Sequence, residues 1–298
     1  FRGMAHARLQ WPTLQARYTT FLASADYNWS KYNSGIGISF LNDAQGPSYI
    51  TTNSIAAQYA YWVNITKDIS LRSGIQLAQT WRSIEVNKFT FPNQFDGNGF
   101  NSAISPGFDG NTLNTSFFSI ASGLVLYTKE FWVGAAGYNL NRPNQTFLGE
   151  KDLLPMKFNF VAGYRIILKK IPTMRYLEDE DEIYWTLTPT VHFKTQGTSQ
   201  QLDLGIYSIY KFLLTGLWYR GIPVKNVSPY INNESLILIG GFKQDNFSVT
   251  YSYDFVISGL GAYSGGAHEI NLTYLYPKRK NFKGKNVRFK RLPCPDFD

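Results

Sequence analysis

The chain has 298 residues, 16% of them aromatic, a single cysteine (Cys294) and a formal net charge of +8. One cysteine excludes an intrachain disulfide, and no run approaches about 18 consecutive apolar residues, which excludes an ordinary membrane-spanning helix. The charge is uneven: Lys278, Arg279, Lys280, Lys283, Lys285, Arg288, Lys290 and Arg291 face only Asp296 and Asp298 in the tail 277–298, so the rest of the chain is near neutral and no nucleic-acid-binding domain is indicated.

The dominant signal is a period of two. Between residues 68 and 82, Ile69, Leu71, Ile75, Leu77 and Trp81 share one parity, while Ser70, Arg72, Gln76, Thr80 and Arg82 share the other. Phe247, Val249, Tyr251, Tyr253 and Phe255 alternate in the same way with Asn246, Ser248, Thr250, Ser252 and Asp254. Such alternation predicts strands with one polar and one apolar face. In chain order it predicts strands over 3–10, 20–29, 34–42, 51–64, 68–82, 115–127, 131–139, 156–168, 183–194, 200–210, 213–220, 235–242, 246–254 and 268–276. Fourteen is an even number, as an antiparallel barrel with both ends on one side requires, and helix is nearly absent. The expected fold is an all-β transmembrane barrel over 1–276, with a polar lumen and a basic tail over 277–298. A propeller would show a blade repeat of about 40 residues, and none is evident. A soluble sandwich does not readily use so many long strands.

The connections alternate in length. Residues 30–33, 65–67, 128–130, 211–212 and 243–245 are short; 11–19, 43–50, 83–114, 140–155, 195–199, 221–234 and 255–267 are read as longer. Outer-membrane barrels have short periplasmic turns and long outer loops. That rule places the longer set outside and both termini in the periplasm. Segment 169–182 breaks the pattern with its acidic run Glu178, Asp179, Glu180, Asp181 and Glu182, on the same side as the basic tail. The start, Phe1-Arg2-Gly3, is read as a mature chain whose export signal lies outside this numbering.

Several short runs, in this order and spacing, are distinctive: Arg8-Leu9-Gln10-Trp11-Pro12, Ser24-Ala25-Asp26, Gly35-Ile36-Gly37, Asn42-Asp43 before Gly46, Leu154-Pro155, and Gly163-Tyr164-Arg165. The second half adds Leu202-Asp203-Leu204-Gly205, Trp218-Tyr219-Arg220, Tyr251-Ser252-Tyr253-Asp254, Gly266-Ala267-His268-Glu269-Ile270 and Leu292-Pro293-Cys294-Pro295. With them the chain resembles the PorP/SprF family of outer-membrane proteins from the type IX secretion and gliding machinery of Bacteroidetes. The family usually opens with a polar segment and an Asn-Pro motif before the first strand, and this sequence is read as beginning after it. The resemblance implies an accessory component that works with a large secreted surface protein, often an adhesin, in its export or retention through its C-terminal domain. Another branch is tied to the periplasmic ring and its lipoproteins.

Parity turns Arg72, Arg82, Lys157, Arg165, Asp203, Arg220, Asp254 and Glu269 into the lumen, where charges must be paired or hydrated. Either a salt-bridge network fills the lumen or the charges line a conduit for polar solutes. Asp254 and Glu269 fall on neighbouring strands and need a cation between them, for which Arg220 and Arg165 are the candidates. In segment 83–114, Phe89, Phe91, Phe95, Phe100 and Phe108 suit an adaptable surface that grips a secreted partner, or a cap folded into the barrel mouth. Asp96-Gly97-Asn98-Gly99 and Asp109-Gly110-Asn111 lack the spaced acidic ligands of a calcium loop. The eight basic residues of the tail are read as a docking segment for acidic periplasmic or lipoprotein components, or for lipid headgroups, rather than a merely solvated end. Three histidines (His6, His192, His268) give no metal spacing, and no nucleophile elbow or phosphate loop is present. Neither an enzyme nor a cofactor is expected. The competing reading is a porin-like transporter.

Overall fold

A computed structural model describes residues 1–276 except 15–16, 47–49, 87–88, 90–91, 97–98, 101–111, 172–182, 228–229, 245 and 260. The strands are β1 (Arg2–Gln10), β2 (Arg17–Trp29), β3 (Ser34–Gly46), β4 (Ile50–Asn64), β5 (Ser70–Glu85), β6 (Thr112–Tyr127) and β7 (Phe131–Tyr138). Next come β8 in two pieces (Lys157–Tyr164 and Ile166–Ile171), β9 (Ile183–Gln196), β10 (Ser199–Tyr210), β11 (Leu213–Val227), β12 (Tyr230–Gln244), β13 (Phe247–Val256) and β14 (Ala267–Leu275). Each strand pairs antiparallel with its sequence neighbour, and β1 closes on β14 from Arg2↔Leu275 to Gln10↔Ala267. The result is a closed fourteen-stranded barrel, and closure leaves no unpaired edge.

The two faces explain why this sequence closes rather than stacks. Ile36, Ile38 and Phe40 on β3, Ile75, Leu77 and Trp81 on β5, and Phe247, Tyr251 and Phe255 on β13 are all exposed on the outer surface. The buried set includes small and polar residues, Ala56, Ala78, Ala121, Ser70, Asp203 and Asp254 among them, together with a few large ones such as Trp62, Tyr127, Trp132 and Leu214. A band of exposed aliphatics around the whole outside of a closed sheet is stable only where the outer solvent is lipid. Trp29, Tyr61, Phe131, Trp185, Tyr210, Phe212, Phe242 and Tyr274 are also exposed, all near strand ends on the side of the termini. They form an aromatic girdle, with Trp185 and Tyr210 packed edge-on at 5.8 Å and Phe212 against Phe242 at 5.1 Å.

Three sequence expectations are corrected. Segment 195–199 is not a long loop: β9 and β10 meet in a two-residue turn at Gly197 and Thr198, with Gly197 at positive φ. Most of 221–234 is strand, because β11 and β12 continue past a register shift between Arg220 and Gly221 to pair again at Asn226↔Ile231. Strand β3 likewise runs on to Gly46, shortening the 43–50 connection. In addition, β8 is interrupted at Arg165, whose N–H donates to the Glu130 carbonyl at 2.6 Å instead of to β9. The longer excursions at the end away from the termini are 86–111, 139–156 and 257–266. The first of these contains a short hairpin of Phe95–Asp96 with Gly99–Phe100.

Candidate functional site: a charge lattice on the inner wall

Register brings the inward charges of six strands together. On β1, Arg8 is the direct partner of Glu269 on β14, and its Nη1 donates to Glu269 Oε1. Arg8 Nη2 also lies 3.5 Å from Asp254 Oδ2 on β13. Arg220 on β11 donates to the same Asp254 oxygen at 2.9 Å, and its Nε is 3.4 Å from Asp203 Oδ1 on β10. Lys194 on β9 continues the chain at 3.0 Å from Asp203 Oδ2, and the Gln201 amide donates to both Asp203 oxygens at 2.8 and 3.0 Å. His6 Nε2 closes the other end, 3.4 Å from Glu269 Oε2. The order is therefore His6, Glu269, Arg8, Asp254, Arg220, Asp203, Lys194, with charges alternating along it once Glu269 is reached. Asp254 and Asp203 are only 2% and 4% exposed, so each carboxylate depends on its cation neighbours rather than on bulk water.

Local backbone features aim these groups. Glu234 is the extra residue between the Arg220↔Ser235 and Gly221↔Asn233 pairs, and this bulge brings its Oε1 to 3.8 Å from Arg220 Nη1. Gly266 has φ +66, and a Cβ there would stand 2.3 Å from the Asp254 carbonyl oxygen. Only glycine permits that approach, and it fixes the start of β14 so that Glu269 falls opposite Arg8. The loop before it is tied to the β1–β2 connection by Trp11 N–H to Gly266 O at 2.7 Å and by the Thr13 hydroxyl donating to Tyr263 O.

Below the lattice, aromatic rings lie flat across glycines on the next strand. Trp218 is the direct partner of Gly205, and Trp132 of Gly163; a Cβ on either glycine would sit 2.1 or 2.2 Å from the indole. Tyr207 covers Gly216 in the same manner, and Tyr207 and Trp218 meet at 5.4 Å. Covering cross-strand glycines with rings pins register and holds bulky groups against the wall.

Of the eight charges expected in the lumen, the structure joins Asp203, Arg220, Asp254 and Glu269. Arg8, Lys194, His6 and Glu234 complete the group and were missed. The cation between Asp254 and Glu269 is Arg8, not Arg165, which makes no ion pair among the described residues. Arg72 lies over the rings of Trp62 and Tyr127 at 5.5 and 6.0 Å. Arg82 donates to Gln145 Oε1 at 2.8 Å and covers Phe147 at 5.6 Å. Lys157 lies 6.0 Å from the Tyr138 ring. These three share the lumen but stand outside the ion-pair chain. Arg8 was legible in principle, since closure obliges the first and last strands to pair and parity then turns Arg8 toward Glu269.

The loop residues Phe89 and Phe95 are exposed at the end opposite the termini, and Phe100 is in the short hairpin with Phe95. Phe91, Phe108, the acidic run 178–182 and the whole basic tail lie outside the described residues, as does Asp109-Gly110-Asn111. Loop 139–156 folds on itself through an Asn144↔Leu153 bridge and reaches the mouth through the Gln145 and Phe147 contacts with Arg82.

Solved structures of similar fold include porins and toluene transporters. The toluene transporter TodX of P. putida superposes with a TM-score of 0.50 at 8% identity, over 93% of this chain and 90% of that one. The Ralstonia pickettii toluene transporter TbuX gives 0.48 at 8% identity, over 93% and 90%. A Pseudomonas aeruginosa FadL homologue gives 0.43 at 10%, over 92% and 89%. At such identities the likeness concerns the fold alone. No curated protein gives a significant sequence match. The family model for the type IX secretion system membrane protein PorP/SprF, in contrast, matches residues 1–274. That span contains every run from Arg8-Leu9-Gln10 to His268-Glu269-Ile270, and five of those runs supply Arg8, Asp203, Arg220, Asp254 and Glu269 of the lattice. The chain therefore belongs to the PorP/SprF family of type IX secretion system membrane proteins.

Proposed function

We propose that this protein is a non-catalytic outer-membrane barrel of the type IX secretion and gliding apparatus. It binds a secreted surface protein or adhesin through that protein's C-terminal domain, and retains it or assists its export. Family membership supports the apparatus. One observation carries the anchoring role: apolar side chains project into solvent from the loops opposite the termini. Tyr263 is 93% exposed and Leu148 66%, and Phe95 joins them. Loops with exposed aromatic and aliphatic tips on a rigid barrel are a natural protein-binding surface. The charges of the lattice, by contrast, are engaged with one another, which fits stiffening of the wall.

In this reading the loops 86–111, 139–156 and 257–266 face the cell exterior, and both termini are periplasmic. The acidic run 178–182 and the basic residues from Lys278 to Arg291 then contact periplasmic or lipoprotein components of the apparatus. Isolation of the tagged protein from its own membrane in mild detergent, with mass spectrometry of co-purifying chains, tests this. The expected result is one large secreted protein carrying a C-terminal sorting domain. Recovery of ring or lipoprotein components alone would move the role to that of a structural partner within the apparatus.

A porin-like transporter is the second reading, favoured by the cavity inside the barrel. Size-dependent solute flux in liposome swelling would support it and count against a pure anchor.

A further inference from the structure

The lumen is not evenly filled. The lattice occupies the wall from β9 through β14 to β1. The wall from β4 to β8 carries small inward residues instead, including Ala60, Gly74, Ala121, Gly123, Gly134 and Ala136. The space they leave is a cavity of about 660 Å³, reaching round to Tyr207 and Trp218. That volume lies within the usual range for small-molecule pockets.

Three properties of its lining point to one class of ligand. First, most of the surface is apolar and partly aromatic, with Trp132, Tyr207 and Trp218 held flat against the wall by their glycine partners. Second, buried polar atoms on the lining residues lack hydrogen-bond partners among the described residues: the donors Arg72 Nε and Trp218 Nε1, and the acceptor Asn159 Oδ1. Buried polar atoms are rarely left in that state without a reason. Third, no carboxylate among the described residues lines the cavity, whereas Arg72 and His192 do. Arg72 lies over the rings of Trp62 and Tyr127, at 5.5 and 6.0 Å, and no carboxylate among the described residues pairs with it. A guanidinium held by rings and not by a carboxylate keeps N–H donors for a planar oxyanion.

We propose that this cavity binds a small amphipathic organic anion. Its acid group meets the edge of Arg72, and its flat apolar body lies between the indoles and the glycine–alanine wall. The assignment is independent of the anchoring role, since the cavity is inside the barrel and the proposed docking loops are at its mouth.

The test uses the full chain in lipid nanodiscs, titrated calorimetrically with 2-naphthoate and with the uncharged 2-naphthamide. Empty nanodiscs serve as the blank. Two variants separate charge from space. Arg72→Gln removes the cation. Gly74→Leu fills the cavity, and a Cβ there meets only Tyr59 O at 3.4 Å and Ala60 Cβ at 3.9 Å. Folding of each is verified by heat-modifiable gel migration. The expected result is saturable one-to-one binding of 2-naphthoate, at least tenfold tighter than the amide. Arg72→Gln should erase that tenfold preference and leave amide binding within about threefold, and Gly74→Leu should abolish binding of both. Heat indistinguishable from empty nanodiscs would overturn the proposal. So would 2-naphthoate binding that neither variant alters.

Discussion

Arg8 and Glu269 are direct cross-strand partners on the first and last barrel strands, and they join through an ion pair facing the lumen. The seam that makes the sheet a barrel is thus also where the charge lattice begins. Replacing Glu269 with Gln should leave Arg8 with Asp254 at 3.5 Å as its remaining carboxylate. We expect a loss of about 1.5–3 kcal/mol, the size of a hydrogen bond to a charged group. A double-mutant cycle with Arg8→Gln and Glu269→Gln should show a coupling of about 1–3 kcal/mol. Urea unfolding from lipid vesicles, followed by tryptophan fluorescence, measures both.

Arg220 is the centre of the lattice, shared by Asp254, Asp203 and Glu234. Arg220→Met leaves two deeply buried carboxylates short of a cation and should cost about 3–5 kcal/mol. Adding Asp203→Asn and Asp254→Asn to that variant should recover most of the loss. Additive destabilisation in the triple variant would show that the three residues do not act together.

Gly205 is required by Trp218 rather than by its own backbone. Gly205→Ala drives a methyl into the indole and should cost about 1–3 kcal/mol, the usual range for overpacking. Gly205→Ala combined with Trp218→Ala should cost less than the sum of the two single changes. Near-ultraviolet circular dichroism should report the displaced tryptophan in the single variant.

Arg82 holds loop 139–156 at the barrel mouth through Gln145 and Phe147. Arg82→Ala should change barrel stability by only about 1 kcal/mol or less. It should also make the peptide bonds near Leu148 several-fold more sensitive to limited proteolysis. Unchanged cleavage would mean that the loop is held by its other contacts, such as the Asn144↔Leu153 bridge and the Asn141 amide on Phe118 O, without Arg82.

The strand plan was legible because period-two patterning and turn residues are local signals, and all fourteen predicted strands are present. What was not legible is where strands continue without a clear apolar partner face. Residues 221–227 and 230–234 read as loop because the register shifts at Gly221 and the alternation is lost there. The lattice was half legible. Parity turns Asp203, Arg220, Asp254 and Glu269 to one face, but the bridging cation depended on closure between residues 246 and 261 positions apart. Glu234 was missed because it stands on the exposed parity, and only the bulge turns it to Arg220. Arg72, Arg82 and Lys157 were expected in the lumen as members of a charge network. Their partners, however, are aromatic rings and an amide, which no charge-matching argument anticipates.

The central functional claim is that the end opposite the termini holds a secreted protein. A photo-crosslinking amino acid placed at Tyr263 or Leu148, and for comparison at Ile65 in the turn on the terminus side, tests it on intact cells. The account predicts an adduct from Tyr263 and Leu148 with one large secreted chain, mapped to its C-terminal domain, and none with that chain from Ile65. Crosslinks to such a chain from Ile65 alone, or no adduct from either far-end position while the barrel is assembled, would contradict it.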